Sequence, residues 1–288
     1  MEHKINKSRM LLQFEQELKA NEKSAATIAK YCQDILRFME YARDGSEITK
    51  EMVIAYKQNL SETYAVTSAN SKLASVNCFL RVIGRADCVV KTFKVQRTAF
   101  RAKECELSKK EYIRLLKAAE KKGNTCLCLI MQTICATGIR ISELPFITVE
   151  SLAVRRASVS SKGKTRTVIL PVELCRKLEA YVEKRGVAAG SIFVTRNGKP
   201  LDRSNIYHGM KALCGDAGVE KSKVFPHNLR HLFALTYYEA ERDICHLADL
   251  LGHANINTTR IYTIVSCEEQ EQRIDGLGLL LDKKQKTT

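Results

Sequence analysis

Residues 226–263 read PHNLRHLFALTYYEAERDICHLADLLGHANINTTRIYT. Their apolar positions recur at helical spacing, which predicts three helices near 226–240, 243–251 and 256–263. Gly252 ends the second of these, and Asn257 is a fair N-cap for the third, the helix that carries Tyr262. His227 and Arg230 lie three apart and so project from one face. Both stand beside residues that should be buried, and a buried guanidinium requires an anion. The string ATGIRISEL at 136–144 repeats the pattern with Arg140.

Outward from this stretch, a unit begins at Leu107. Ser108 with Glu111 has the form of a capping box ahead of a helix to about Lys121. An apolar helix (124–136), the turn TGIR and a short helix through Glu143 and Leu144 follow. A β-rich part is expected over Ile147–Val154, Ala157–Ser161 and Thr165–Leu170, the last two joined across Lys162-Gly163-Lys164. Pro171 starts another helix, and a further one lies near 202–216.

The first third carries four helical segments, at 8–20, 24–42, 49–61 and 67–83. In the second, Ile28, Tyr31, Ile35, Phe38 and Met39 recur every three or four residues, with Ser24 as N-cap. Gly45 follows that helix, and Gly84 closes the fourth segment. Between the two blocks, KTFKVQRTAFRAK (91–103) holds Lys91, Lys94, Arg97, Arg101 and Lys103, two phenylalanines and no acid. It reads as a basic strap for a phosphate backbone. The fold class is therefore mainly α: a helical domain (1–90), a basic linker (91–106), a helix-dominated domain with a small antiparallel sheet (107–275) and a tail (276–288).

The 288 residues include 47 Lys+Arg against 32 Asp+Glu, a formal charge of +15. Such an excess points to a polyanionic partner. The longest apolar stretch, Thr125 to Ile139, is interrupted by Thr and Gln and is shorter than the ~20 residues of a spanning helix. The N-terminus has neither the apolar core nor the cleavage site of a signal peptide. The 11 cysteines are scattered, with no CxxC spacing. Cys126, Cys128 and Cys135 fall in an apolar helix, where Cys acts as a small buried hydrophobe. Reduced thiols, a cytoplasmic location and no metal or other cofactor are expected.

With no glycine loop for phosphates, the chemistry must rest on side chains. The strings at 136–144, 226–234 and 250–263 together resemble the tyrosine recombinases, the Xer/phage-integrase family. The resemblance spans nearly the whole chain and is carried by Arg140, Lys162, His227 with Arg230, His253 and Tyr262, in that order. It implies a two-domain, clamp-shaped enzyme that cuts and rejoins double-stranded DNA without metal or ATP, at a core site of inverted repeats. Cleavage passes through a phosphorane rich in negative charge, which the forked, permanently charged Arg140 and Arg230 are suited to hold. By resemblance His253 hydrogen-bonds the same phosphate, Tyr262 is the nucleophile that forms a 3′-phosphotyrosyl link, His227 is the base, and Lys162 at the hairpin tip is the general acid. Lys164, two residues on, would point the same way from a strand and is the alternative acid. Glu143, three residues from Arg140, is better placed to orient it than to act in catalysis.

Tyr237 and Tyr238 are rival nucleophiles on paper, but their apolar helix favours core packing. His231 and His246 read as structural. Because the core-binding helices begin almost at once, a simple crossover site without distant arm sites is expected. The tail, with Leu277, Leu279, Leu280 and Leu281, would pass to a neighbouring subunit in a tetramer of this chain, or of this chain with a related recombinase, exchanging strands through a Holliday junction. Two other classes meet the same charge: a catalytically silent DNA-binding protein on this scaffold, and a type IB topoisomerase-like enzyme.

Overall fold

Ser24 and Thr49 start two helices of the first unit by accepting hydrogen bonds from the Thr27 and Met52 N–H groups, each at 3.3 Å. This computed structural model describes residues 7–42, 47–95, 106–161, 164–195, 197–263, 271–272 and 274–277. The chain divides into two compact units, Met1–Arg97 and Thr98–Thr288. The first contains α1 (Lys7–Ala20), α2 (Ala25–Tyr41), α3 (Lys50–Thr63) and α4 (Val66–Val82). Phe14, Phe38, Leu73 and Phe79 are fully enclosed in its core, with Phe14 and Phe79 edge to face at 5.4 Å.

Beyond α4 the chain runs extended along that helix, held by two asparagines. Asn77 donates to the Val90 carbonyl at 2.8 Å and accepts the Val90 N–H at 3.0 Å. Asn70 repeats the exchange with Phe93 at 2.9 and 2.8 Å. Each amide stands in for a neighbouring strand, satisfying both backbone groups of an extended residue. Lys91 and Lys94 are exposed on this segment. Arg97, Arg101 and Lys103 lie outside the described residues, as do Gly45 and Lys162.

In the second unit, the predicted capping box at Ser108 and Glu111 starts α5 (Lys109–Lys121). The apolar α6 (Thr125–Thr137) runs through the core, where Ile130, Met131 and Ile134 are buried. A 3₁₀ helix (Ile141–Phe146) leads into α7 (Val149–Ala153). The antiparallel strands β1 (Arg156–Ser161) and β2 (Lys164–Ile169) pair from Arg156↔Ile169 to Ser161↔Lys164. Then come α8 (Val172–Arg185), α9 (Arg203–Ala212), α10 (Cys214–Ala217), α11 (Pro226–Glu241) and α12 (Ile244–Leu251). No helix among the described residues is long and apolar enough to cross a membrane.

Two expectations need correction. Residues 147–154 are not a strand: Thr148 accepts the Ser151 N–H at 3.2 Å while Ser151 accepts the Thr148 N–H at 3.0 Å. That reciprocal cap commits 149–153 to a helical turn, and the extended character survives only as the bridge Thr148↔Ser191. Residues 256–263 are not one α-helix but two 3₁₀ turns, Ile256–Thr258 and Arg260–Tyr262. Asn255, rather than Asn257, caps the first of them. Thr259 is fully buried with its hydroxyl engaged by His253, a tertiary contact that overrides the local helical pattern.

Asn77→Ala should lower the unfolding free energy by ~2 kcal/mol, because both Val90 backbone groups lose their partner inside the fold. Asn70→Ala, at the less buried pair, should cost less. Urea unfolding of the full chain checks both; equal costs would mean that burial does not set the penalty.

Candidate active site

The candidate residues converge because two helices end at the same place. Gly138 terminates α6 at φ +66°, and a Cβ there would lie 2.4 Å from the Phe233 ring. Only glycine meets both demands. Two residues on, Arg140 is held by Glu143, which accepts its backbone N–H at 2.7 Å and its Nη1 at 2.9 Å. The Arg140 side chain remains 37% exposed, whereas Glu143 is 1% exposed.

Glu143 has a second cation. Arg166 of β2 donates Nη1 and Nη2 to its two carboxylate oxygens, each at 2.9 Å, and Nε to the Leu250 carbonyl at 3.1 Å. Burial by itself would raise the Glu143 carboxyl; the donors from Arg166 and Arg140 outweigh it and hold the group below its ordinary value.

Arg230, on the first turns of α11, is 2% exposed. Its Nη1 donates to the Gly138 carbonyl at 2.5 Å, and its Nη2 to the Leu251 carbonyl at 2.7 Å and to His253 Nε2 at 3.0 Å. A guanidinium can only donate, so His253 Nε2 is the acceptor and the ring proton sits on Nδ1, facing Thr259 Oγ1 at 2.8 Å. Burial, and then the charges of Arg230, Arg140 and Arg166, push His253 down from 6.5 to about 4. Burial and the Arg140 charge also lower Arg230 to about 10, which leaves it charged at neutral pH.

His227, one helical turn before Arg230, opens to solvent and borders a depression shared with Arg203, Tyr207 and His208 of α9. Partial desolvation, then the charges of Arg230 and Arg140, lower its pKa. Tyr262 is 3% exposed, packed with Ala234, Leu235, Leu247 and Leu251. Burial raises its phenol, and the two arginines partly oppose the rise.

The fold thus brings together Arg140, Glu143, His227, Arg230, His253 and Tyr262. Lys164 opens β2, and its neighbour Lys162 lies outside the described residues. Tyr237 bonds His246 Nδ1 at 3.2 Å, and Tyr237 and Tyr238 pack against the Leu235–Leu247–Leu251 cluster. His231, read as structural, packs its ring on Tyr262 with centroids 4.9 Å apart.

Sequence reasoning missed Arg166. A signal was present: Arg166 shares strand parity with Val168, and parity in a two-stranded ribbon assigns the face. Val168 is buried, as is Val159 opposite Arg166.

Residues 106–269 match the phage integrase family, and residues 11–86 match the phage integrase N-terminal SAM-like domain. The chain belongs to the phage integrase family of tyrosine recombinases. It is a tyrosine-type site-specific recombinase, cutting and rejoining DNA through a 3′-phosphotyrosine intermediate. It is similar to tyrosine recombinase XerA of Pyrococcus furiosus, at 26% identity over 97% of this chain and 98% of that one. It is also 31% identical to tyrosine recombinase XerD of Bifidobacterium longum, over 85% and 88% of the two chains. A lambda integrase tetramer bound to a Holliday junction superposes with a TM-score of 0.71 at 18% identity, over 88% of this chain and 76% of that one. At that identity the likeness speaks for the recombinase fold. None of these matches favours the silent binder or the topoisomerase.

Neutral His253 makes the recombinase acid-sensitive. Between pH 6.5 and about 4 the unfolded chain binds a proton that the folded site refuses, so stability falls as pH drops through that window. The loss should be ~1–2 kcal/mol once the ring's partial exposure is allowed for. Unfolding at pH 7 and pH 4.5 should show a loss larger in the wild type than in His253→Gln by this amount, the remainder coming from groups such as His227 whose pKa is also lowered.

Proposed function

We propose that Arg140 and Arg230 hold the scissile phosphate of a DNA strand while Tyr262 attacks it. The observation that carries this reading is a buried tyrosine beside the guanidiniums of Arg140 and Arg230, the same two cations that neighbour the imidazoles of His227 and His253. Arg230 has five N–H donors. The Gly138 carbonyl, the Leu251 carbonyl and His253 take three of them, leaving two for phosphate oxygens. Arg140 presents its exposed edge to the same place, and His253 adds a hydrogen bond once its ring turns from Arg230 or gains a proton.

The phenol is protonated at neutral pH, so attack needs a base. His227, kept neutral by its surroundings, takes the Tyr262 proton. The Tyr262 Oη–P bond forms as the P–O5′ bond breaks, and Lys162, with Lys164 as the alternative, protonates the leaving 5′-oxygen. The phosphotyrosine retains the phosphodiester energy, so the 5′-hydroxyl of a second strand reverses the step without ATP.

The substrate is double-stranded DNA with an inverted-repeat core site, bound by domain 1–90, the strap 91–106 and domain 107–275. Lys91, Lys94, Arg97, Arg101 and Lys103 contact backbone phosphates. Four subunits, of this chain or a related recombinase, exchange strands through a Holliday junction, with the tail 276–288 passed between neighbours. The likeness to the lambda integrase tetramer on a junction supports that assembly. The exposed Leu277 is consistent with a tail that packs elsewhere than on its own domain. The proposed location is cytoplasmic.

A nicked duplex carrying the crossover site, incubated without metal or ATP, should trap a covalent protein–DNA adduct on a denaturing gel. Tyr262→Phe should give none; an adduct that survives it would name another nucleophile. The trapping rate should hold steady from pH 8 to below pH 6.5, because the His227 pKa is lowered, and should fall only as that ring protonates. A rate already falling at pH 7.5 would remove His227 as the base.

A further inference from the structure

The Arg166 guanidinium is committed to protein. Its Nη1 and Nη2 grip the two oxygens of Glu143, Nε holds the Leu250 carbonyl, and the side chain is 14% exposed. Its Cδ lies 2.7 Å from where a Cβ on Gly252 would stand. β2 is thereby fastened to the last turn of α12 at Leu250, three residues before His253. Three of its five N–H donors hold protein groups and the side chain is largely buried, so the contact the structure gives Arg166 is with Glu143.

We infer that Arg166 is a positioning residue for cleavage: by neutralising Glu143 it leaves the Arg140 guanidinium available to the phosphate. The inference rests on the reading that Arg140 binds the scissile phosphate. Arg166 meets the carboxylate fork to fork, the strongest geometry for such a pair. Arg140 therefore gives Glu143 only Nη1, and its Nη2 makes only a 3.5 Å contact with the Gly252 carbonyl. The three groups carry two positive charges and one negative.

Without Arg166, a carboxylate that is 1% exposed would have Arg140 as its single cation. An unbalanced buried charge seeks its partner strongly. The Arg140 fork would turn to bind both oxygens, withdrawing the donors and the net charge meant for the phosphate. Lysine at 166 would restore the charge but not the two-pronged grip.

The test is a double-mutant cycle on adduct formation with the nicked duplex under single-turnover conditions, with DNA affinity measured in parallel. Arg166→Met should slow adduct formation ~100-fold and change DNA affinity by less than ~3-fold. In a Glu143→Gln background no carboxylate competes for Arg140, so the penalty for Arg166→Met should shrink below ~10-fold. A penalty that stays at ~10-fold or more in that background overturns the inference, because Arg166 would then act through something other than Glu143. Should Arg166→Met alone fail to fold, comparing Glu143→Gln with the double variant still decides. Arg140→Ala separates the two levels: normal adduct formation by that variant removes the phosphate reading itself. Lost adduct formation by Arg140→Ala, without coupling in the cycle, removes only the role of Arg166.

Discussion

The second unit is organised around one buried cation. Arg230 sits where α6 and α12 end, and it binds a carbonyl from each end, Gly138 and Leu251. The last carbonyls of a helix have no partner within it and carry the negative pole of its dipole. A guanidinium between two such ends satisfies acceptors that would otherwise be orphaned, which offsets the several kcal/mol that desolvating a cation costs. The same contacts fix the direction of the chain after α6, toward Arg140, and after α12, toward His253. On the proposed reading, function and folding share this one interaction.

The site carries more positive charge than its protein ligands neutralise. Arg140, Arg166 and Arg230 stand against the single carboxylate of Glu143 among the groups that shape it. Burial, reinforced by that surplus, keeps His253 and His227 neutral, and the surplus partly opposes the rise that burial imposes on Tyr262. It is a destabilising arrangement in the free protein, where like charges face each other in a poorly solvated place. On the proposed reading a phosphodiester supplies the missing charge and a phosphorane supplies more, so attraction grows along the reaction rather than being spent on the ground state.

Much of the architecture was legible in the chain. The four helices of the first unit, the capping box at Ser108, the hairpin and the order of helices after Pro171 follow from periodicity and caps, which act over a few residues. The failures have different causes. Residues 147–154 look strand-like by composition, yet the reciprocal Thr148–Ser151 cap makes them helical. Residues 256–263 look like a helix, yet the turn is shaped by His253 reaching the Thr259 hydroxyl. In the second case a contact between segments won over a local preference, as tertiary contacts generally can.

By itself, the sequence determined the mainly α class, the two blocks, the basic character and the residue types of the site, because each rests on composition, periodicity or motif. Only the tertiary structure decided the electrostatic connections: that Arg230 closes two helix ends, that His253 presents an acceptor to it, and that Glu143 is shared between Arg140 and an arginine 23 residues beyond it. Such facts depend on which segments meet in space. A buried carboxylate or imidazole takes its charge state from every neighbour at once, and most of those neighbours are distant in the chain.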